Sequence, residues 1–210
     1  MLKPLTQDQI DVIIEKATQA FADKGFAGAN IGKIAKDAGV SVGVIYKYYK
    51  DKEALFTACV ERSLEYLDEV FAETTKESTD LMGMVSALIR KDQQAARLHP
   101  EYFRLYHQIT AAGALPGDGV VKMIEGRSAE LYTRLIEEAK KKGEVGKDAD
   151  PALFAFFFDN LMMMLHFAYT SGYYEERFRI YCGEDIADRD DEVHDAMMRF
   201  IAGALGVKRQ

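Results

Sequence analysis

Residues 151–169, "PALFAFFFDNLMMMLHFAY", carry apolar side chains around the full circumference of a helix. Such a helix has to be covered on every side. One face can meet its own domain, and the other then needs a partner. Near the C-terminus, Val193, Met197, Phe200, Ile201 and Leu205 recur as a second apolar stripe. Two such helices from each of two copies of the chain make a four-helix seam, with Phe157, Leu161, Met197, Phe200 and Ile201 as its contact residues. Burial of both helices inside a monomer is the alternative. Asp159 and His166 interrupt the run, so no stretch matches the ~18 uncharged apolar residues of a membrane span, and no membrane partner is expected.

The rest of the chain has the same period. No segment alternates with period two between hairpin signals, so the fold class is all-α, with about nine helices. From Gln7 to Lys24, Ile10, Ile13, Ile14, Ala17 and Phe21 share a face, and Gly25 ends the helix. Asn30 caps a short helix, Ile31 to Ala38, and Ser41 caps another, Val42 to Tyr49. A long helix then runs from about Lys52 to Lys76, and further helices are expected over residues 79–98, from Pro100, over 120–142, over 151–169 and over 192–205. "AAGALPGDG" reads as a loop, and residues 171–191 as a connection. Two domains follow: three helices in residues 1–50, and a helical body in 51–210.

Charge divides the chain in the same way. Residues 1–56 hold eight Lys and seven Asp or Glu, a balance of +1; residues 57–210 hold nineteen Lys or Arg and twenty-seven Asp or Glu, a balance of −8. An acidic body need not stop a basic foot from binding phosphate, because screening acts beyond ~8 Å. The N-terminus turns polar at once and shows no signal peptide. Cys59 and Cys182 have no Cys or His at ligand spacing, which points away from zinc and towards reduced thiols in a cytoplasmic protein. His99, His107, His166 and His194 form no metal-binding pair, no glycine loop has phosphate-binding context, and no Ser or Cys sits in a nucleophile setting. Neither an enzyme nor a cofactor is expected.

The stretch "VGVIYKYYKDKEALF" sets Tyr46, Tyr48 and Tyr49 among Lys47, Lys50 and Lys52. Two short helices joined by a glycine-containing turn have the lengths of a helix-turn-helix, whose second helix enters the DNA major groove. An αα corner in a helical bundle has the same lengths. Helical spacing sends Ile45 and Tyr49 inward with Ile34 and Ala35, leaving Val42, Gly43, Val44, Tyr46, Lys47 and Tyr48 outward or at the edge. A phenol can donate to a phosphate oxygen while its ring packs on sugar, and lysine releases counterions.

The order and spacing of "F-A-x-K-G-F", "I-A-x-x-A-G-V-S-x-G", "I-Y-x-Y-Y" and "K-x-A-L-F" across residues 10–56 closely resemble the N-terminal domain of TetR-family transcriptional regulators. The resemblance implies an all-helical homodimer acting on double-stranded, palindromic operator DNA, with a variable body that binds a small molecule. By position it implies that Asn30, Tyr46, Tyr48 and Lys52 contact phosphate, that Val42, Gly43, Val44 and Lys47 face the groove, and that Lys33 joins the DNA-facing set. Three positions depart from common members: Gly32 lacks a long side chain, Val42 is apolar, and Val44 replaces a smaller or polar residue. Lys47 is left as the main hydrogen-bonding reader, with valine methyls suited to thymine.

In the body, polar side chains interrupt apolar faces at Tyr102, Tyr106 and His107, and at His166. Buried polar groups need partners, from protein or from ligand. With Phe103 and Met163 they suit an apolar effector of unknown identity that bears a few polar atoms; structural hydrogen bonds are the plainer reading of each alone. The expected function is a repressor released from its operator by that effector. A helical protein-protein adaptor without DNA binding is the alternative.

Overall fold

The computed structural model describes residues 4–78, 80–111 and 119–206. Every regular element among them is helical. Ten α-helices run in the order α1 (Gln7–Gly28), α2 (Ile31–Asp37), α3 (Val42–Tyr48), α4 (Lys52–Glu77), α5 (Leu81–Leu98), α6 (Pro100–Ala111), α7 (Val120–Lys142), α8 (Pro151–Thr170), α9 (Gly172–Cys182) and α10 (Asp190–Ala204). Most of the expected "AAGALPGDG" loop lies outside the described residues.

Local chemistry sets the helix ends. Thr6 opens α1 with a reciprocal cap: its Oγ1 accepts from the Gln9 amide at 3.3 Å, and the Gln9 side chain accepts from the Thr6 amide at 3.0 Å. Gly25, at φ 66° and ψ 173°, breaks the regular turn near the end of α1. Asn30 and Ser41 cap α2 and α3 through the amides of Lys33 and Val44. Asp150 caps α8 just ahead of Pro151, whose missing N–H costs nothing at that position.

The chain packs as two compact units. The first comprises Met1–Leu67 and Glu101–Val120, and the second Asp68–Pro100 and Val121–Gln210; the boundary falls within α4, and α6 belongs with the N-terminal helices. In the first unit Ile13, Phe21, Ile34, Ile45 and Phe56 are at most 2% exposed, and Phe21, Phe26 and Phe56 meet at ring distances of 5.1–6.1 Å. The core of the second unit gathers Val85, Leu88 and Ile89 of α5, Leu135 and Ile136 of α7, Phe158 and Met162 of α8, and Val193 and Ile201 of α10.

Two expectations change. Residues 172–182 are helix, not connection. None of them is buried, so no core stripe marked the segment; it holds to α8 through Tyr174 on Phe167 and Phe178 on Tyr169. And α8, at 20 residues, is long and apolar enough to cross a membrane by length and composition alone. One acid and one histidine do not lower the average of so many Phe, Leu and Met.

Candidate nucleic-acid interface

Helix α3 is two-sided. Ile45 is 1% exposed on the side of α3 that packs with α2, while Val42, Tyr46 and Tyr48 are 39%, 47% and 36% exposed. Gly43 and Lys47 also face outward, Val44 lies half-buried at the edge, and Tyr49 closes the helix as a half-buried, extended cap. Burial raises the Tyr49 phenol above its ordinary pKa, in keeping with an inward ring. On the neighbouring helix Lys33 is exposed, and a side chain at Gly32 would bring a Cβ to 3.1 Å from the Asn30 oxygen that caps α2. The bare surface at Gly32 therefore goes with the cap.

Three of the four residues expected to meet phosphate, Asn30, Lys52 and Tyr48, each make an internal bond. Asn30 spends its side-chain oxygen on the Lys33 amide at 3.0 Å, and the cap makes no use of its NH2. The Lys52 ammonium donates to the Ala27 carbonyl at 3.2 Å and sits 5.0 Å from the Phe26 ring centroid. One of its three N–H groups is used, so two can still donate. The Tyr48 oxygen accepts the Leu5 amide at 2.6 Å, and the Lys47 ammonium stands 5.8 Å from the Tyr48 ring. Phenols and ammonium groups set beforehand on one exposed surface lose little side-chain freedom when an anion arrives.

The Bacterial regulatory proteins, tetR family, model matches residues 13–59, which hold most of α1, α2, α3 and the start of α4. The N-terminal domain is that of the TetR family. It is 25% identical to the HTH-type transcriptional regulator YhgD of Bacillus subtilis over 76% of this chain and 83% of that one. It is 21% identical to IcaR of Staphylococcus epidermidis, a negative regulator of the biofilm operon icaADBC, over 91% of this chain and 98% of that one. The structure of FadR from Bacillus subtilis in complex with stearoyl-CoA shares the fold at a TM-score of 0.73, with 18% identity, 90% of this chain and 97% of that chain covered. The outward set on α3 thus lies inside the stretch that matches the TetR-family model.

The residues expected to sense an effector fall in both units. In the first, Phe103 is 3% exposed, and Tyr102, Tyr106 and His107 are half-buried along α6. Tyr102 meets Tyr66 of α4 at a ring distance of 5.6 Å. Burial raises the Tyr102 phenol and lowers the His107 imidazole from their ordinary pKa values. In the second, Met163 is half-buried, and His166, 8% exposed, sets its Nδ1 3.3 Å from Oδ1 of Asp92 on α5. The Asp92 pairing was missed in the sequence, though Asp92 falls on the stripe of Val85, Leu88, Ile89 and Ala96 that α5 buries.

Of the five seam residues, Phe157 and Phe200 are 61% and 63% exposed, and Leu161 and Met197 are half-buried. Ile201 is 1% exposed within the core of its own unit, so it leaves no surface for a second copy. The 100° step from Phe200 turns it inward. Leu153 and Phe156, 57% and 61% exposed, extend the outward apolar face instead.

The structure also aligns Ser86, His194 and Asp195: Ser86 Oγ lies 2.8 Å from His194 Nε2, and His194 Nδ1 lies 2.9 Å from Asp195 Oδ1. Ser86 sits inside α5, where helix bonding occupies the backbone amides that could bind an oxyanion. The bond ties α5 to α10.

Proposed function

We propose that this chain is a cytoplasmic repressor that binds palindromic operator DNA as a homodimer and leaves it when a small, largely apolar effector binds. The observation that carries the reading is the outward face of α3, where Tyr46, Lys47 and Tyr48 stand exposed opposite the buried Ile45. Residues 1–50 supply DNA binding; residues 51–210 supply dimerisation and effector binding. Repression needs nothing more than occupancy of a promoter, and IcaR, similar over nearly its whole length, is a negative regulator. The chain binds rather than turns over its ligand, and the Ser86–His194 pair is structural.

A second copy covers the exposed Phe156 and Phe157 on α8 and Phe200 on α10, aromatic surface that is costly to leave in water. In the second unit, Met163 and His166 contact the effector. In the first unit, Tyr102, Phe103, Tyr106 and His107 on α6 make the response, because α6 packs with the DNA-reading helices. Stearoyl-CoA is the first probe to use, since FadR, which shares the fold, binds it. Coupling is reciprocal, so operator must weaken effector binding by the factor with which effector weakens operator binding. Titrating the probe with and without operator tests this; equal affinities in both titrations overturn effector control by that class.

A further inference from the structure

The Tyr48 hydroxyl is one of few groups on the DNA-reading face with a bond that reaches outside the helix-turn-helix. It accepts the amide of Leu5, 43 residues earlier and one residue ahead of the Thr6 cap of α1. A phenol oxygen offers lone pairs to accept and a single O–H to donate. Because the Leu5 contact uses a lone pair, the hydroxyl proton stays available. Tyr48 is exposed, Leu5 is half-buried and the contact between them is open, so water competes for it and the ring need not be buried to make it.

We propose that Tyr48 divides its hydroxyl between protein and DNA, holding the Leu5 amide on its oxygen and giving its proton to a backbone phosphate, so that Pro4–Thr6 is a positioning element of the DNA-binding surface. The inference rests on the assignment of α3 to DNA. Its physical content is cooperativity. A hydroxyl that accepts one hydrogen bond is polarised and donates a stronger one, and the reverse holds. Phosphate therefore tightens the Leu5 contact, and the Leu5 contact tightens phosphate binding. The lead-in to α1 cannot read bases by this route. It raises affinity for all sequences alike.

The test uses the full-length protein and a duplex enriched from random-sequence DNA. Leu5→Pro deletes the amide donor and leaves Tyr48 intact; Leu5→Ala keeps the amide and is the control; Tyr48→Phe removes both roles of the hydroxyl. A net neutral hydrogen bond predicts a loss of about 2–10-fold for Leu5→Pro, equal across operator variants. Leu5→Ala binds as wild type, and the double variant is no weaker than Tyr48→Phe alone. Hydrogen exchange of the peptide containing Leu5 slows when operator is added, and this slowing disappears in Tyr48→Phe. Unchanged affinity of Leu5→Pro, or losses that multiply in the double variant, overturns the coupling while leaving DNA binding in place. Failure of the wild type to enrich any duplex overturns the DNA assignment itself.

Discussion

Arg104 on α6 lies 3.5 Å from Asp23 near the end of α1. Two residues on, Gly25 leaves the regular helix, and a Cβ there would come to 3.1 Å from the side-chain oxygen of Gln108, one turn beyond Arg104. Helix α6 thus rests on α1 within the first unit. Partly exposed ion pairs contribute only ~0–1 kcal/mol, so the Arg104 contact aligns more than it stabilises.

Gly25 does more. At φ 66° and ψ 173° it occupies a region almost closed to residues with a side chain. Gly25→Ala is expected to cost about 1–3 kcal/mol in a denaturant titration, from strain and from displacement of Gln108. A midpoint equal to wild type would show that the α1–α6 contact tolerates a side chain.

Lys47 and Lys52 separate reading from gripping. Lys47→Ala should relax preference at particular base pairs, costing ~1–3 kcal/mol there. Lys52→Ala should weaken all duplexes alike and lower the salt slope by about one. It also loses the Ala27 and Phe26 contacts, so a small fall in stability should accompany it. Unchanged ranking of operator variants by Lys47→Ala would place that lysine off the groove.

Neighbouring residues on α10 should give opposite results. Phe200 is 63% exposed, so Phe200→Asp, like Phe157→Asp, should yield folded, soluble monomer in sedimentation. Ile201→Asp puts a carboxylate into the core and should unfold the chain at a cost of several kcal/mol. Dimer retained in both Phe variants would move the seam elsewhere.

Asp159 gives a pH dependence of defined sign. Burial, then the nearby Glu125, push its carboxyl from 3.8 up to about 6, with His166 acting the other way. The folded state therefore holds the proton more tightly than the unfolded one. Asp159 costs nothing below about pH 3.8, and its penalty grows up to about pH 6 and stays above it. Asp159→Asn should gain on the order of 1–2 kcal/mol at pH 7.5 and almost nothing at pH 4. An equal effect at both pH values would mean that the carboxylate reaches water freely.

Helix after helix was legible because apolar spacing and caps agree: Asn30, Ser41 and Pro151 mark ends that the structure keeps. The two-sidedness of α3 was legible for the same reason, since helical spacing turned Ile45 and Tyr49 inward and left Tyr46, Lys47 and Tyr48 outside. Helix α9 was not, because it buries nothing, and a helix without a core stripe looks like a loop. Partners distant in sequence were also invisible. Nothing in residues 4–6 predicts Tyr48, and Asp92 meets His166 across 74 positions. Phe200 and Ile201 show the remaining limit: both fit an apolar stripe, and one helical step decides which of them water sees.

Enrichment of duplexes from random-sequence DNA by the purified wild-type protein tests the central claim most directly. The account predicts an inverted repeat bound by two protomers, with half-sites on successive major grooves ~34–36 Å apart and affinity falling steeply with salt. A pool that returns no sequence above competitor DNA would contradict it.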